Sequence, residues 1–235
     1  MTTLENELKK VQTVSISHLI LDNQGKIVAK SGTEKTLFEA GQSIKITQNL
    51  TLNYPRLWTL EKPELYTLET TVKANGKVTD LYKTPFGIRT IAFDSEKGFL
   101  LNGKQVKLKG MCLHQDAGSL GTAVLDRSYE RRLEIIKEYG CNAIRCSHNQ
   151  PSPEFLDMCD RMGFVVIDEA FDKWKSGYYE KYFDEWWQRD LENMILRDRN
   201  HPSNILWSIG NEVTEAWEQG NEGIKRAEML RDFVH

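Results

Sequence analysis

Residues 153–169 read PEFLDMCDRMGFVVIDE, and the order of residue types in this stretch decides the fold. Pro153 suits a first helical turn, where its missing N–H would have had no partner. Phe155, Met158, Cys159 and Met162 follow at i, i+3, i+4 and i+7, the apolar stripe of a helix, and Gly163 stands where that helix should stop. Phe164-Val165-Val166-Ile167 is then a continuous apolar run, as in a parallel strand covered on both faces. It breaks off into Asp168-Glu169. One helix feeding one such strand is one repeat of an α/β fold.

The repeat recurs on both sides. Residues 109–114 and 142–147 read as strands. Between them Asp126 and Ser128 are candidate caps for a helix through Tyr139, with Tyr129, Leu133 and Ile136 on one face and Gly140 as the left-handed residue behind it. A longer helix is centred on Trp187, Leu191, Met194 and Ile195, and at least one of Trp186 and Trp187 should pack inward. A strand at 205–209 and a last helix toward His235 complete the series. The charged run from Asp184-Glu185 to Arg199 reads as a solvated helix face with i, i+4 pairs. Four β/α repeats in a row require a parallel sheet with right-handed crossovers.

Before residue 92 the period is two. Val14, Ile16, His18 and Ile20 alternate with Ser15, Ser17, Leu19 and Leu21 before the turn Asp22-Asn23-Gln24-Gly25. Ile44 and Ile46 alternate ahead of Leu50 and Leu52, and Tyr66, Leu68, Thr70 and Val72 run up to Asn75-Gly76. Asn-Gly is the strongest short hairpin signal, since both residues tolerate φ > 0. A second one, Asn102-Gly103, joins 99–101 to 105–108. The chain therefore divides into a β-sandwich at 1–92 and an α/β domain at 93–235.

Composition excludes other classes. With Lys+Arg 31 against Asp+Glu 34 the net charge is -3, whereas a nucleic-acid binder driven by phosphate neutralisation is normally basic. A hydrophobic share of 40% is too high for a disordered chain. No run approaches the roughly 18 to 20 apolar residues of a membrane span. The N-terminal stretch MTTLENELKKVQTV shows no secretory signal, so a cytoplasmic location is expected. Cys112, Cys141, Cys146 and Cys159 form no CxxC pair and read as buried or half-buried free thiols.

Polar residues collect at the C-terminal ends of the four α/β strands: His114-Gln115-Asp116, Arg145-Cys146-Ser147-His148-Asn149, Asp168-Glu169 with Asp172 and Trp174, and Asn211-Glu212. In a parallel barrel these ends face one mouth. Singly, each has an ordinary structural reading. A metal site from His114, Asp116 and His148 lacks HxxxH or HExxH spacing.

Residues 198–212, DRNHPSNILWSIGNE, closely resemble the acid/base signature of glycoside hydrolase family 2, and 142–151, NAIRCSHNQP, resemble its other signature. GMCLHQD at 110–116 and DEAFDKW at 168–174 look like its β-galactosidase-type branch. Pro85-Phe86-Gly87-Ile88-Arg89 resembles the family's passage from immunoglobulin-like sandwich to TIM barrel. The resemblance implies an immunoglobulin-like β-sandwich, entered after its first strand, followed by the first part of a (β/α)8 barrel.

It further implies a retaining exo-glycosidase acting on terminal β-galactosides, with β-glucuronides or β-mannosides as alternatives. Glu212 is matched to the general acid/base, a role whose raised pKa would come from partial burial behind Trp207 and a second carboxylate nearby. Asn211 is matched to the contact with the sugar 2-hydroxyl, and His114 and His148 to sugar or transition-state contacts. Arg145 is matched to the residue that orients the nucleophile. Asp168, Asp172 and Trp174 are matched to a polar rim and an aromatic platform, with loop packing as the other reading of Trp174. A retaining enzyme needs a second carboxylate roughly 5–5.5 Å from the first. The family places it on a later strand, so Arg145 is expected to face an empty position, and Glu169 sits on the wrong strand to fill it.

The chain alone is therefore expected to be inactive. No cofactor is required, although some relatives bind Mg2+ or Na+ near the site. The expected partner is a carbohydrate, not nucleic acid or membrane, with a homo-oligomer or a complementing chain possible for a half-barrel. A non-catalytic carbohydrate-binding or assembly module is the reading from another class.

Overall fold

The computed structural model describes residues 1–32, 35–216 and 221–235. The chain forms two compact units, Met1–Arg56 with Glu64–Ile88, and Leu57–Pro63 with Arg89–His235.

The first unit is an immunoglobulin-like β-sandwich. Its strands are β1 (Thr2–Glu5), β2 (Gln12–Leu21), β3 (Ile27–Gly32), β4 (Thr36–Phe38), β5 (Ser43–Ile46), β6 (Tyr66–Ala74) and β7 (Lys77–Phe86). One antiparallel sheet runs β3-β2-β6-β7 with β4 also on β2, and β1 pairs with β5. The period-two reading of β2 holds: Gln12, Val14, Ile16, His18 and Ile20 are buried and their neighbours are not. His18 lies opposite Thr70 on β6, and its Nδ1 is 2.9 Å from Thr70 Oγ1, so the polar break in the apolar face is satisfied. Asn75 and Gly76 have φ of 51° and 80°, the pair of left-handed residues that a type I′ hairpin needs. Leu50 and Leu52 lie outside any strand, while β1 and β4, too short to show a period, were not foreseen.

The second unit opens with a small antiparallel sheet of β8 (Ile91–Asp94), β9 (Gly98–Leu101) and β10 (Lys104–Gln105). β10 stops three residues short of the expected Leu108. There follow β11 (Gly110–His114), α1 (Asp126–Glu138), β12 (Ala143–Ser147), α2 (Pro153–Met162), β13 (Val165–Glu169), α3 (Glu180–Asp198), β14 (Asn204–Ser208) and α4 (Glu222–Val234). The four α/β strands are parallel in the order β11-β12-β13-β14. Sequential order without reversal is that of a barrel wall, whereas a doubly wound sheet reverses at a switch point. Leu133, Leu156 and Cys159 of the helices pack with Ile144, Phe164 and Val166 in one core cluster, and Phe183, Leu191, Met194 and Leu230 anchor another.

The helix ends follow from local chemistry, with one correction. Neither Asp126 nor Ser128 caps α1. Leu125 holds the extended N-cap backbone, φ -77° and ψ 146°, so Asp126 is already helical and its charge instead complements the helix N-terminus. At the other end Gly140 donates to Lys137 O and Cys141 to Ile136 O, the paired bonds of a Schellman motif. Gly163 is left-handed after α2, and a Cβ there would stand 2.2 Å from Leu60 O, so two constraints require glycine. Cys146 and Cys159 are buried free thiols, and burial raises both pKa values well above the usual. Cys112 is exposed, contrary to expectation, because β11 has a strand neighbour on one side only among the described residues. Among those residues no helix is long and apolar enough to cross a membrane.

The approach to β14 is a polar knot. Arg89 donates to the carbonyls of Pro202 and Asn204. The buried Asp160 of α2 accepts from Ser203 N at 3.0 Å and lies 2.6 Å from His201 Nδ1. Burial lowers the His201 pKa, but the bond to and charge of Asp160 outweigh it and the net shift is upward. The stabilisation is therefore complete below the ordinary histidine value and is lost as pH rises through the raised one. Asp160→Ala should cost about 3 kcal/mol in urea denaturation, since it strands a buried N–H and a cation. The loss should be larger at pH 6 than at pH 9.

Candidate active site

Glu169, the last residue of β13, is fully buried and surrounded by donors. Its Oε2 accepts from Arg145 Nε at 3.1 Å, Arg145 Nη2 at 2.8 Å and Ser208 Oγ at 2.8 Å. Its Oε1 is 2.8 Å from His148 Nδ1. Arg145 comes from β12, His148 from the residue after it, and Ser208 from the end of β14, where it lies opposite Glu169 in the register. A buried carboxylate is tolerated only when paired and hydrogen-bonded. Here it is, and the three strand ends are pulled to one point. Arg145 therefore does not face an empty position.

A chain of contacts leads outward from this hub. Arg145 Nη2 also donates to Asn211 Oδ1 at 2.8 Å, and Asn211 Nδ2 donates to Asp172 Oδ1 at 2.9 Å. Asp172 and Glu212 are both bound to Lys173 Nζ at 3.0 Å. Burial raises the Asp172 pKa, but bonds from Asn211 and Lys173 more than offset it, and the carboxyl titrates below its ordinary value. Glu212 is not buried behind Trp207. Its side chain is 75% exposed, while Trp207 packs against the helical core. Glu212 has φ 45°, a left-handed conformation that a residue of this type holds only where its surroundings enforce it.

The other expected residues divide. His114 at the end of β11 meets His148 edge to face, ring centroids 5.2 Å apart, so it belongs to the same group. Asp168 does not. Successive strand residues point to opposite faces, and with Glu169 on the mouth side Asp168 faces α3. There it is fully buried beside the buried Asp198 of a helix end first read as solvated. Trp174 is also withdrawn: it is 2% exposed, and its indole N–H donates to Ile209 O at 2.6 Å. Gly210 makes room for it, since a Cβ there would stand 2.7 Å from Trp174 Nε1. Asp116 pairs with Arg132 at 3.1 Å, and the described residues do not gather His114, Asp116 and His148 at metal spacing. The cation between Asp172 and Glu212 is the Lys173 ammonium. Sequence reading placed Glu169 in the polar cluster without giving it a role, and passed over Ser208 and Lys173. Strand alternation was the available signal for Glu169, since only one of two adjacent carboxylates can face the mouth.

Burial, and then the Asp198 carboxylate alongside, push Asp168 up to about 8, and no side-chain donor of the described residues satisfies either of its oxygens. Between its ordinary value of 3.8 and about 8 the folded chain keeps a proton that the unfolded chain has released. Stability must therefore fall as pH rises through this window and level off above it. Asp168→Asn, which cannot ionise, should remove that part of the decline. Paired thermal melts should show the variant gaining on the parent between pH 5 and about pH 8.

Comparison with known proteins agrees with this geometry. The family described as "Glycosyl hydrolases family 2" matches residues 1–89, and "Glycosyl hydrolases family 2, TIM barrel domain" matches 94–231. The chain is 48% identical to the β-galactosidase BoGH2A of Bacteroides ovatus over its whole length, which is 28% of that protein. It is 31% identical to a β-glucuronidase of Bacteroides fragilis, covering 93% of this chain and 32% of that one. A family 2 glycosyl hydrolase structure from Bacteroides cellulosilyticus superposes with a TM-score of 0.89 at 40% identity, over 99% of this chain and 31% of the other. The chain thus spans about a third or less of these relatives. On its two matched domains and its barrel-type strand order, the chain belongs to glycosyl hydrolase family 2.

Proposed function

We propose that this chain carries the acid/base side of a retaining glycosidase site, with Glu212 as the acid/base and a terminal β-galactoside as substrate. The observation that carries the reading is the unbroken line Glu169–Arg145–Asn211–Asp172–Lys173–Glu212, which ties the ends of β12, β13 and β14 into one network. Glu212 is its most exposed member, where a leaving group would meet it. In the first step its carboxylic acid gives a proton to the glycosidic oxygen as a carboxylate nucleophile attacks the anomeric carbon and the C–O bond breaks. In the second its carboxylate takes a proton from water, whose oxygen replaces the enzyme ester. Asn211, held by Arg145 and Asp172, is set to meet the sugar 2-hydroxyl, and His114 and His148 supply further polar contacts.

Glu169 is not the nucleophile. Both its oxygens are engaged by four donor contacts, and it is sealed from substrate. The nucleophile is expected on a later barrel strand, and the 235-residue chain by itself should not turn over glycosides. For the sugar, the 48% identity to a protein named β-galactosidase favours galactosides over glucuronides.

The test is a graft in which this chain replaces the matching stretch of the Bacteroides ovatus enzyme. The graft should hydrolyse alkyl and dinitrophenyl β-galactosides. Glu212→Gln should lower kcat/KM for the alkyl substrate by about 10²–10⁴-fold, and far less for dinitrophenyl, whose leaving group needs no proton. A Glu212→Gln graft with undiminished alkyl hydrolysis would remove Glu212 from the mechanism. Preference for a nitrophenyl glucuronide would overturn the sugar, and a folded but inert graft would favour a binding or assembly module.

A further inference from the structure

The loops after β13 and β14 are joined by two neighbouring rungs. In the first, Asn211 N donates to Asp172 O at 3.0 Å and Asn211 Nδ2 to Asp172 Oδ1 at 2.9 Å. In the second, Lys173 Nζ lies 3.0 Å from Glu212 Oε2 and also 3.0 Å from Asp172 Oδ1. Adjacent residues of one loop thus bind adjacent residues of the other. The ammonium is the sheltered partner, its side chain 24% exposed against 75% for Glu212. The next residue, Trp174, is locked into the core by its bond to Ile209 O, which fixes the backbone that carries the lysine.

We infer that Lys173 is a positioning residue for Glu212: its ammonium is the built-in cation of this site and fixes the direction of the Glu212 carboxylate. The inference deepens the reading of Glu212 as acid/base and rests on it. A charge-assisted contact at 3.0 Å to an ammonium of fixed position restrains an otherwise exposed carboxylate to one direction. The ammonium is itself kept charged, since bonds to Asp172 and Glu212 raise its pKa. The other charged groups around the pair are spoken for. His148 acts on Asp172, Lys175 is bound to Asp184, and Glu215 takes the Lys175 N–H at 2.6 Å and lies 3.7 Å from Arg226.

The graft described above tests this. Lys173→Met should lower its kcat/KM for an alkyl β-galactoside by about tenfold and leave the dinitrophenyl value nearly unmoved, because only the alkyl leaving group needs the Glu212 proton held in one place. Lys173→Arg should restore most of the loss, and Lys225→Met, at the separate pair with Glu222, should change neither value. Equal alkyl kcat/KM in the parent graft and in Lys173→Met would overturn the inference, as would equal losses on both substrates. Failure of the acid/base reading would show instead as a Glu212→Gln graft that keeps its alkyl hydrolysis.

Discussion

The carboxylate of Glu169 is the constraint on which the candidate site depends. A charge removed from water must be matched by donors, and one left unmatched costs several kcal/mol. Glu169 is matched by three residues from the ends of its two neighbouring strands, so its burial and the alignment of the strand ends are one event. The register puts Ser208 opposite it, and the parallel neighbour β12 delivers Arg145. From there the network runs from full burial at Glu169 through 32% exposure at Arg145 to 75% at Glu212, with the Lys173 side chain, at 24%, sheltered between the outer carboxylates. The interior end of the network is rigid because it is desolvated, and the outer end is open to a ligand.

This gradient divides the long stretch 198–212 into two jobs. His201, Ser203 and Asn204 belong to polar contacts at and before the start of β14, with Arg89 and Asp160 as partners, and Asp198 is bound by Arg197. Asn211 and Glu212 lie past its C-terminal end. One short strand separates an anchor from a site. The anchor fixes where β14 begins and so, with 3.3 Å per strand residue, where its far end presents Ser208 and the loop beyond.

Much of this was legible in the sequence. Periods of two and of 3.6, the Asn-Gly pairs and the glycines at 140 and 163 are local signals, each tied to a backbone conformation that the structure adopts. The strand ends were legible as a cluster because four of them carried polar residues. What failed was direction. Asp168 and Glu169 are chemically alike and adjacent, and only the pleat decides that one meets Asp198 and the other Arg145. Trp174 looked like a sugar platform because an aromatic residue near a mouth has two uses. The missing side chain of Gly210, 36 residues away, selects between them. Lys173 carried no signal at all, since a surface lysine beside an aspartate is ordinary until the fold brings Glu212 to it.

Glu212 combines an exposed side chain with a left-handed backbone, and the two features explain each other. An exposed carboxylate on a relaxed loop would sample many directions, and its proton transfer would pay for that freedom at each turnover. Here the preceding Asn211 is held through its backbone N–H and side-chain amide N–H to Asp172, and its side-chain Oδ1 accepts from Arg145. With one neighbour so fixed, the left-handed conformation, of order 1–3 kcal/mol, is imposed by the surroundings. The ammonium of Lys173 then limits the side chain. The rigidity required of a proton-transfer group is thus supplied by the hydrogen bonds of its neighbours, and its own carboxylate stays accessible to the substrate.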